Sequence, residues 1–284
     1  LKKFVGISII AILLLALVVV VSGCTTPTPT PAANVTVTPV ANVTATPAAN
    51  ATQNLTMTPG ILSVATEAHY PPFENINTTA NAFEGFDIDV MNEIGKELGL
   101  EVKYTDSAFD TIIPAIQAKK FDCAISAFTI TPKRQETVDF SDWYYESPGQ
   151  AISVRAAETG IVNATGIVGK KIGVQMGTVG QDAVTHTAGV AADDVKAYAT
   201  MNEAFMALKK GEVDAVVGDQ PVSEPYVKNY PGDYKFVGEP LTATEYFGIV
   251  INKESPQLTA QINAALAKMK ADGRLQKMHD KWFE

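Results

Sequence analysis

The amino-acid sequence predicts an α/β protein made of two similarly built lobes. Three observations carry that expectation. From Gly60 onward, short β-branched runs alternate with helical patterns, the signature of largely parallel sheets flanked by helices. A weak internal repeat pairs IQAKKFDCA (Ile116 to Ala124) with LKKGEVDAV (Leu208 to Val216), each reading as helix end, turn, apolar residue, aspartate and strand start. The polar residues of chemical interest each follow a strand, which is where open α/β sheets bind ligands. With 284 residues, 46% of them hydrophobic, the chain has material for one large or two medium cores.

The first 59 residues stand outside those cores. Lys2 and Lys3 precede an apolar run from Phe4 to Val21, and Val21-Ser22-Gly23-Cys24 then brings small residues up to a cysteine. That order is similar to a lipoprotein signal peptide, with Cys24 lipidated after cleavage. An uncleaved membrane anchor is the other reading, because the run is close to the length that spans a bilayer. Both tether the protein to the outer face of the cell membrane. From Thr25 to Pro59 the Thr-Pro, Ala-Asn and Asn-Val-Thr units carry no charge and almost nothing large enough to pack, so a disordered stalk is expected. Asn34, Asn42, Asn50 and Asn54 in the stalk, and Asn77 and Asn163 beyond it, sit in Asn-X-Thr acceptor triplets.

In the globular part, strands are expected at Ile61 to Thr66, Glu101 to Tyr104, Asp122 to Ser126, Lys171 to Val174, Val195 to Tyr198 and Val213 to Val217. Helices are expected at Asp87 to Leu98, Thr111 to Ala118, Val179 to Thr187, Met201 to Lys209, Pro221 to Asn229 and Pro256 to Ala271. Ala151 to Val154 and Tyr246 to Ile251 read as extended crossings. The second lobe (152–245) is then an insertion within the first (60–151 and 246–284).

Chemistry concentrates in DCAISAFTITPKRQETVDFSDWYY, Asp122 to Tyr145. Thr131 is an N-cap candidate and Pro132 suits the first helical position, so Arg134 falls beside free backbone amides and hydroxyls. A guanidinium there suits a carboxylate, because its planar fork of donors matches two oxygens. A solvated surface arginine is the plainer reading of that residue alone. Glu67, Thr129, Thr178 and Asp219 each follow a strand and converge on one cleft between the lobes. Gly177-Thr178 opens a helix whose free amides favour an anion. Asp219 can cap the helix after Pro221, bind an ammonium, or do both.

Other classes of chemistry find little support. Cys123 stands alone in an apolar strand, where a thiol acts as a small hydrophobe, and His69, His186 and His279 are scattered, so no metal site is expected. The formal charge of −9, or −11 without Lys2 and Lys3, argues against nucleic acid as a partner.

Several ordered motifs between residues 60 and 284 resemble one known family. They are ATEAHYPPFE (Ala65 to Glu74), EGFDIDVMNEIGKELG (Glu84 to Gly99), FDTIIPAIQAKKFDCAISAFTITPKRQETVDFSDWYY (Phe109 to Tyr145), KKIGVQMGT (Lys170 to Thr178), VDAVVGDQP (Val213 to Pro221) and MHDKWF (Met278 to Phe283). The chain resembles the extracellular solute-binding proteins of family 3, which serve polar amino-acid ABC importers and include glutamine-, histidine- and lysine/arginine/ornithine-binding proteins. The resemblance implies a two-lobed, type II periplasmic-binding-protein fold with two crossing hinge strands. It also implies capture of a free polar amino acid by lobe closure and delivery to an ABC permease, by a monomer without a cofactor.

By the same resemblance Arg134 takes the ligand α-carboxylate with the amides of Thr129 and Thr178. Asp219, the Ala127 carbonyl and the Thr129 hydroxyl take the α-ammonium. Tyr70 and Phe109 sandwich the ligand side chain, with Phe128 extending the wall. Glu67 stands where relatives that bind basic amino acids or glutamine have Asp, and Gln175 and Val179 occupy positions that vary with specificity. Gly218 replaces larger residues of some relatives, which implies room for water or a bulkier ligand. Arginine, lysine or histidine is expected over glutamine, since a carboxylate beside aromatic faces suits a cation. A dehydratase acting on prephenate-like acids, with Glu67 or His69 as the acid, and a sensor module docking on a separate receptor are the rival readings.

Overall fold

The computed structural model describes residues 55–284; the signal segment, Cys24 and most of the stalk lie outside them. The chain begins with β1 (Ile61–Thr66), followed by the short strands β2 (His69–Tyr70), β3 (Glu74–Asn77) and β4 (Ala82–Glu84), which pair antiparallel in that order. Next come α1 (Phe86–Leu98), β5 (Glu101–Asp106), α2 (Phe109–Gln117), β6 (Cys123–Ala124), the single-turn α3 (Pro132–Gln135) and β7 (Asp139–Phe140). β8 (Tyr145–Ser147) leads into β9 (Gln150–Arg155), β10 (Ile172–Gln175), α4 (Val179–His186), β11 (Val195–Tyr198), α5 (Met201–Lys210), β12 (Ala215–Asp219), α6 (Gln220–Asn229) and β13 (Tyr234–Phe236). The chain finishes with β14 (Glu245–Phe247), β15 (Val250–Ile251), α7 (Pro256–Ala271) and α8 (Arg274–Phe283). Among the described residues no helix is long and apolar enough to cross a membrane.

Two five-stranded sheets have the same plan. The first runs β5-β1-β6-β15-β7 and the second β11-β10-β12-β9-β13. In each, one strand pairs parallel with two neighbours through helical crossovers, and two further strands add antiparallel. The sequence repeat marks equivalent points in this plan. Asp122 Oδ2 accepts the backbone N–H of Ser63 at 2.9 Å, and Asp214 Oδ2 accepts that of Lys171 at 3.0 Å. Each aspartate thus ties the start of its strand to the neighbouring parallel strand, which fixes register where a single slip would turn every side chain over. The helix ends that precede them also match, with Lys119 at φ 53° and Gly211 at φ 77°.

The passage between the sheets differs from expectation. Ala151 to Val154 is no crossing: it lies within β9, is buried throughout, and pairs with β12 and β13 inside the second sheet. A strand apolar on both faces belongs in a sheet interior, not in an exposed connection. The passage is the antiparallel pair β8 and β14, with Tyr145 facing Phe247 and Ser147 facing Glu245. Of the expected Tyr246 to Ile251 crossing, the first part belongs to β14 and the last to β15 in the first sheet.

Residues 55–59, read from sequence as stalk, lie against the first lobe. Leu55 packs on its core, Thr56 is buried, and the Met57 amide donates to Asp122 Oδ1 at 2.7 Å. α8 was not foreseen as an element. Leu275, Met278, Trp282 and Phe283 pack on the core, while Arg274 pairs with Glu93 and Glu97 of α1, and Lys281 and the Trp282 indole N–H reach Asp89.

Gly211 gives a direct check on the repeat turn. A Cβ there would meet nothing within 4 Å, so only its left-handed backbone opposes a side chain. Gly211→Ala is expected to lower stability by about 1 kcal/mol, measured as a shift of the urea midpoint without a change in slope.

Candidate functional site

Arg134 is held by the local logic its sequence suggested. Pro132 opens α3, and the Thr131 side chain caps it by accepting the Arg134 amide at 3.2 Å. The guanidinium then spans the cleft, donating from Nη1 to the Thr129 carbonyl at 2.8 Å and from Nη2 to the Gly177 carbonyl of the other lobe at 3.1 Å. Its Cζ lies 5.5 Å from the Phe109 ring and 5.4 Å from Phe128, and these two rings stack at 4.5 Å. Burial lowers the Arg134 pKa, while Asp219 and Glu245 raise it; an arginine so placed stays charged. The close approach of the lobes here needs glycine: Gly177 is left-handed, and a Cβ on it would stand 3.0 Å from that of Asp110.

The second charged centre sits at the end of β12. Asp219 holds the N-cap position of α6 but makes no capping bond with its side chain. Its Oδ2 accepts the Tyr70 hydroxyl of the first lobe at 2.6 Å, and its Oδ1 accepts the Gln150 amide at 2.7 Å. The same amide nitrogen donates to Glu245 Oε2 at 3.0 Å, and that oxygen also accepts the Thr129 hydroxyl at 3.0 Å. Thr129, Glu245, Gln150, Asp219 and Tyr70 therefore form one buried relay that leaves the first lobe, passes through the crossing strand β14 and the second lobe, and returns. Asp219 is pushed up to about 7, by burial first and by the Glu245 carboxyl next, with the Tyr70, Gln150 and Arg134 contacts opposing.

A third group closes the floor. Glu67 Oε2 accepts the Gln175 side-chain amide across the lobes at 3.2 Å, and His69 Nδ1 lies 3.2 Å from Oε1. Burial raises the Glu67 pKa, against the lowering effect of Gln175 and His69. Thr178 caps α4 by accepting the Gln181 amide and donates its hydroxyl to the Gln175 carbonyl at 2.8 Å. Ala127 has a left-handed backbone, φ 45°, unusual for a residue with a Cβ. An open cleft of about 710 Å³ borders Arg134 on the outside, between α3 and the start of α4.

The structure thus brings Glu67, Tyr70, Thr129, Arg134, Gln175 and Asp219 into bonded contact across the lobes. Phe109 has Phe128 as its ring partner. The room expected beside Gly218 is absent: a Cβ there would run into the Met201 side chain, which fills the space a larger residue would take. Gln150 and Glu245 were missed by sequence reasoning. Their only signal is a polar residue opening an otherwise apolar strand, and a lone acid in a Thr-Ala-Thr-Glu run, and neither has meaning until the crossing strands are placed.

Residues 62–284 match the profile of the bacterial extracellular solute-binding proteins, family 3. The chain belongs to that family. It is 34% identical over 228 residues to the ABC transporter arginine-binding protein 1 of Escherichia coli K12, covering 78% of this chain and 90% of that protein. Among solved structures, an ancestral arginine-binding protein bound to glutamine superposes with a TM-score of 0.74 at 42% identity, covering 80% of this chain and 99% of that one. An ancestral amino-acid-binding protein, a precursor of cyclohexadienyl dehydratase, superposes at 0.72 with 35% identity over 79% and 96%. The family-3 chain accordingly has the two-lobed type II periplasmic-binding-protein fold.

The buried Asp219 makes a signed prediction for the ligand-free family-3 protein. A carboxyl whose folded pKa is raised supports the fold fully below its unfolded value near 4, and that support is lost as pH rises through the folded value. Asp219→Asn removes the loss. Its stability relative to wild type is expected to climb with pH between about 4 and 7, by up to roughly 1.4 kcal/mol per pH unit, in melts run without ligand.

Proposed function

We propose that this protein captures a free amino acid with a cationic side chain between its lobes and delivers it to an ABC permease. The observation that carries this reading is the charge arrangement of the cleft. The Glu67, Asp219 and Glu245 carboxyls are buried there with the single guanidinium of Arg134. A ligand with one carboxylate and two cationic groups complements that set, because buried charges persist only when each is paired and hydrogen-bonded.

In this reading the ligand carboxylate displaces the carbonyl partners of Arg134 and takes the amides of Thr129 and Thr178. The α-ammonium replaces the Tyr70 and Gln150 donors on Asp219, with the Thr129 hydroxyl and the Ala127 carbonyl completing its shell. Tyr70, Phe109 and Phe128 wall the side chain, and Glu67 with Gln175 receives its far end. The arginine named for the Escherichia coli relative supports this assignment. Glutamine is the second reading, favoured by the ancestral protein bound to it, since Glu67 and Gln175 can also accept an amide N–H.

The dehydratase reading, with Glu67 or His69 as the acid, has the ancestral precursor in its favour, and the protein is expected to form no phenylpyruvate from prephenate. The order Lys2-Lys3, apolar run and Val21-Ser22-Gly23-Cys24 supports a lipid anchor at Cys24 on the outer face of the membrane, with the stalk giving reach toward the permease.

Two outcomes test the assignment. Arg134→Met should cost roughly 2–5 kcal/mol of amino-acid affinity, a loss of about thirtyfold or more by calorimetry; unchanged binding would overturn the carboxylate role. In a thermal-shift screen of the twenty amino acids with ornithine and citrulline, wild type should respond to arginine, lysine, ornithine or histidine. Glu67→Gln should weaken those responses selectively, while a wild-type response confined to glutamine would replace the cationic reading.

A further inference from the structure

Behind the cleft, two more carboxyls are buried completely, and the capture chemistry above does not use them. Glu74 opens β3 and Asp87 lies in the first turn of α1. Glu74 Oε1 accepts the Ser126 hydroxyl at 2.7 Å, and Ser126 Oγ in turn accepts the Glu67 amide at 3.1 Å. Asp87 Oδ2 accepts the Ala127 amide at 2.8 Å and the Tyr144 hydroxyl at 2.9 Å. The remaining oxygens, Glu74 Oε2 and Asp87 Oδ1, meet no donor. The Asp87 amide donates to the Phe73 carbonyl at 2.9 Å, which brings the two residues side by side, and two buried carboxylates with an oxygen each unpaired are costly, whereas one shared proton satisfies both.

We propose that Glu74 and Asp87 share one proton as a carboxylic acid and carboxylate pair, and that this pair positions the Ser126-Ala127 turn for ligand capture. Asp87 is the ionised partner, since the start of a thirteen-residue helix favours the anion and two donors already point at it. Glu74 is the acid, donating to Asp87 and accepting from Ser126. Burial and the neighbouring Asp87 hold Glu74 well above the ordinary carboxyl range, and burial brings Asp87 up to about 6.

The titratable groups around the pair are Glu67 after β1, Tyr70 on β2, Tyr104 on β5 and Tyr144 before β8, with His279 of α8 against the adjoining Phe86 ring. Among the described residues neither carboxyl has a lysine or arginine as a hydrogen-bond partner. What the pair fixes is the left-handed Ala127, a conformation that costs about 1–2 kcal/mol and persists only where surroundings enforce it. Glu74 and Asp87 are therefore positioning residues: they act on the ligand through the Ser126-Ala127 backbone. The ligand half of this inference rests on the amino-acid reading given above.

The test uses the full chain and two variants of one residue. Glu74→Gln keeps a donor for Asp87 and an acceptor for Ser126, while Glu74→Met keeps neither. In ligand-free denaturant titrations between pH 5 and 8, the unfolding constant of wild type should rise about tenfold per pH unit more steeply than that of Glu74→Gln, because the folded chain retains a proton the unfolded chain releases. Glu74→Met should speed hydrogen exchange at the Ala127 amide and weaken binding of L-arginine at least tenfold, and Glu74→Gln should restore both. Parallel pH profiles for wild type and Glu74→Gln would overturn the shared proton. Equal losses of Ala127 protection in the two variants would overturn the positioning role. If Glu74→Met fails to fold, the Glu74→Gln profile and its Ala127 exchange decide alone. Wild type that binds no L-arginine would defeat the functional reading, and the ligand-free profile and exchange would still decide the pair.

Discussion

The constraint on which this molecule turns is the burial of acidic groups between two lobes that contribute one guanidinium to them. Closing Glu67, Asp219 and Glu245 away from water is unfavourable unless hydrogen bonds and opposite charge offset it. In the structure the offset comes from neutral donors, Tyr70, Gln150, Thr129 and Gln175, together with Arg134. Those donors come from both lobes. On the proposed reading, a cation arriving in the cleft replaces weak neutral partners with charged ones, and the gain is available only when both lobes are in place. Ligand binding and lobe closure thereby become one equilibrium, since a ligand shifts a conformational balance only by the contacts that differ between its states.

The fold supplies this arrangement by repetition. Two sheets with the same strand plan put the carboxyl ends of β1 and β6 opposite those of β10 and β12, and each sheet is held in register by an aspartate tied to a neighbouring strand amide. The antiparallel β8 and β14 pair joins them and places Glu245 between Thr129 and Gln150 in the relay. The Glu74 and Asp87 pair extends the same theme one layer down, where a proton replaces the missing cation.

Much of this was legible in the sequence because it depends on short-range rules. Thr131, Pro132 and Arg134 follow helix-start chemistry, and the strand-end positions of Glu67, Thr129, Thr178 and Asp219 follow from β-branched runs with polar residues after them. The capping alternative for Asp219 could not be decided without seeing its carboxylate turned toward Tyr70 and Gln150. Gln150 and Glu245 were illegible because their partners are 69, 95 and 116 positions away in sequence. The crossing was misplaced at Ala151 to Val154 because an apolar extended run looks the same inside a sheet as between two sheets. Room beside Gly218 was misjudged because Met201, which fills it, approaches from a different helix.

On the proposed reading, the cleft's buried acids await a cation. Calorimetric titration of L-arginine into the full chain at pH 6.5, in two buffers of different ionisation enthalpy, measures it as proton exchange. With Asp219 raised to about 7 in the free protein, pairing with an ammonium should drive its proton off, so binding is predicted to release protons to the buffer. Binding heat that is the same in both buffers, or proton uptake on binding, would contradict the account.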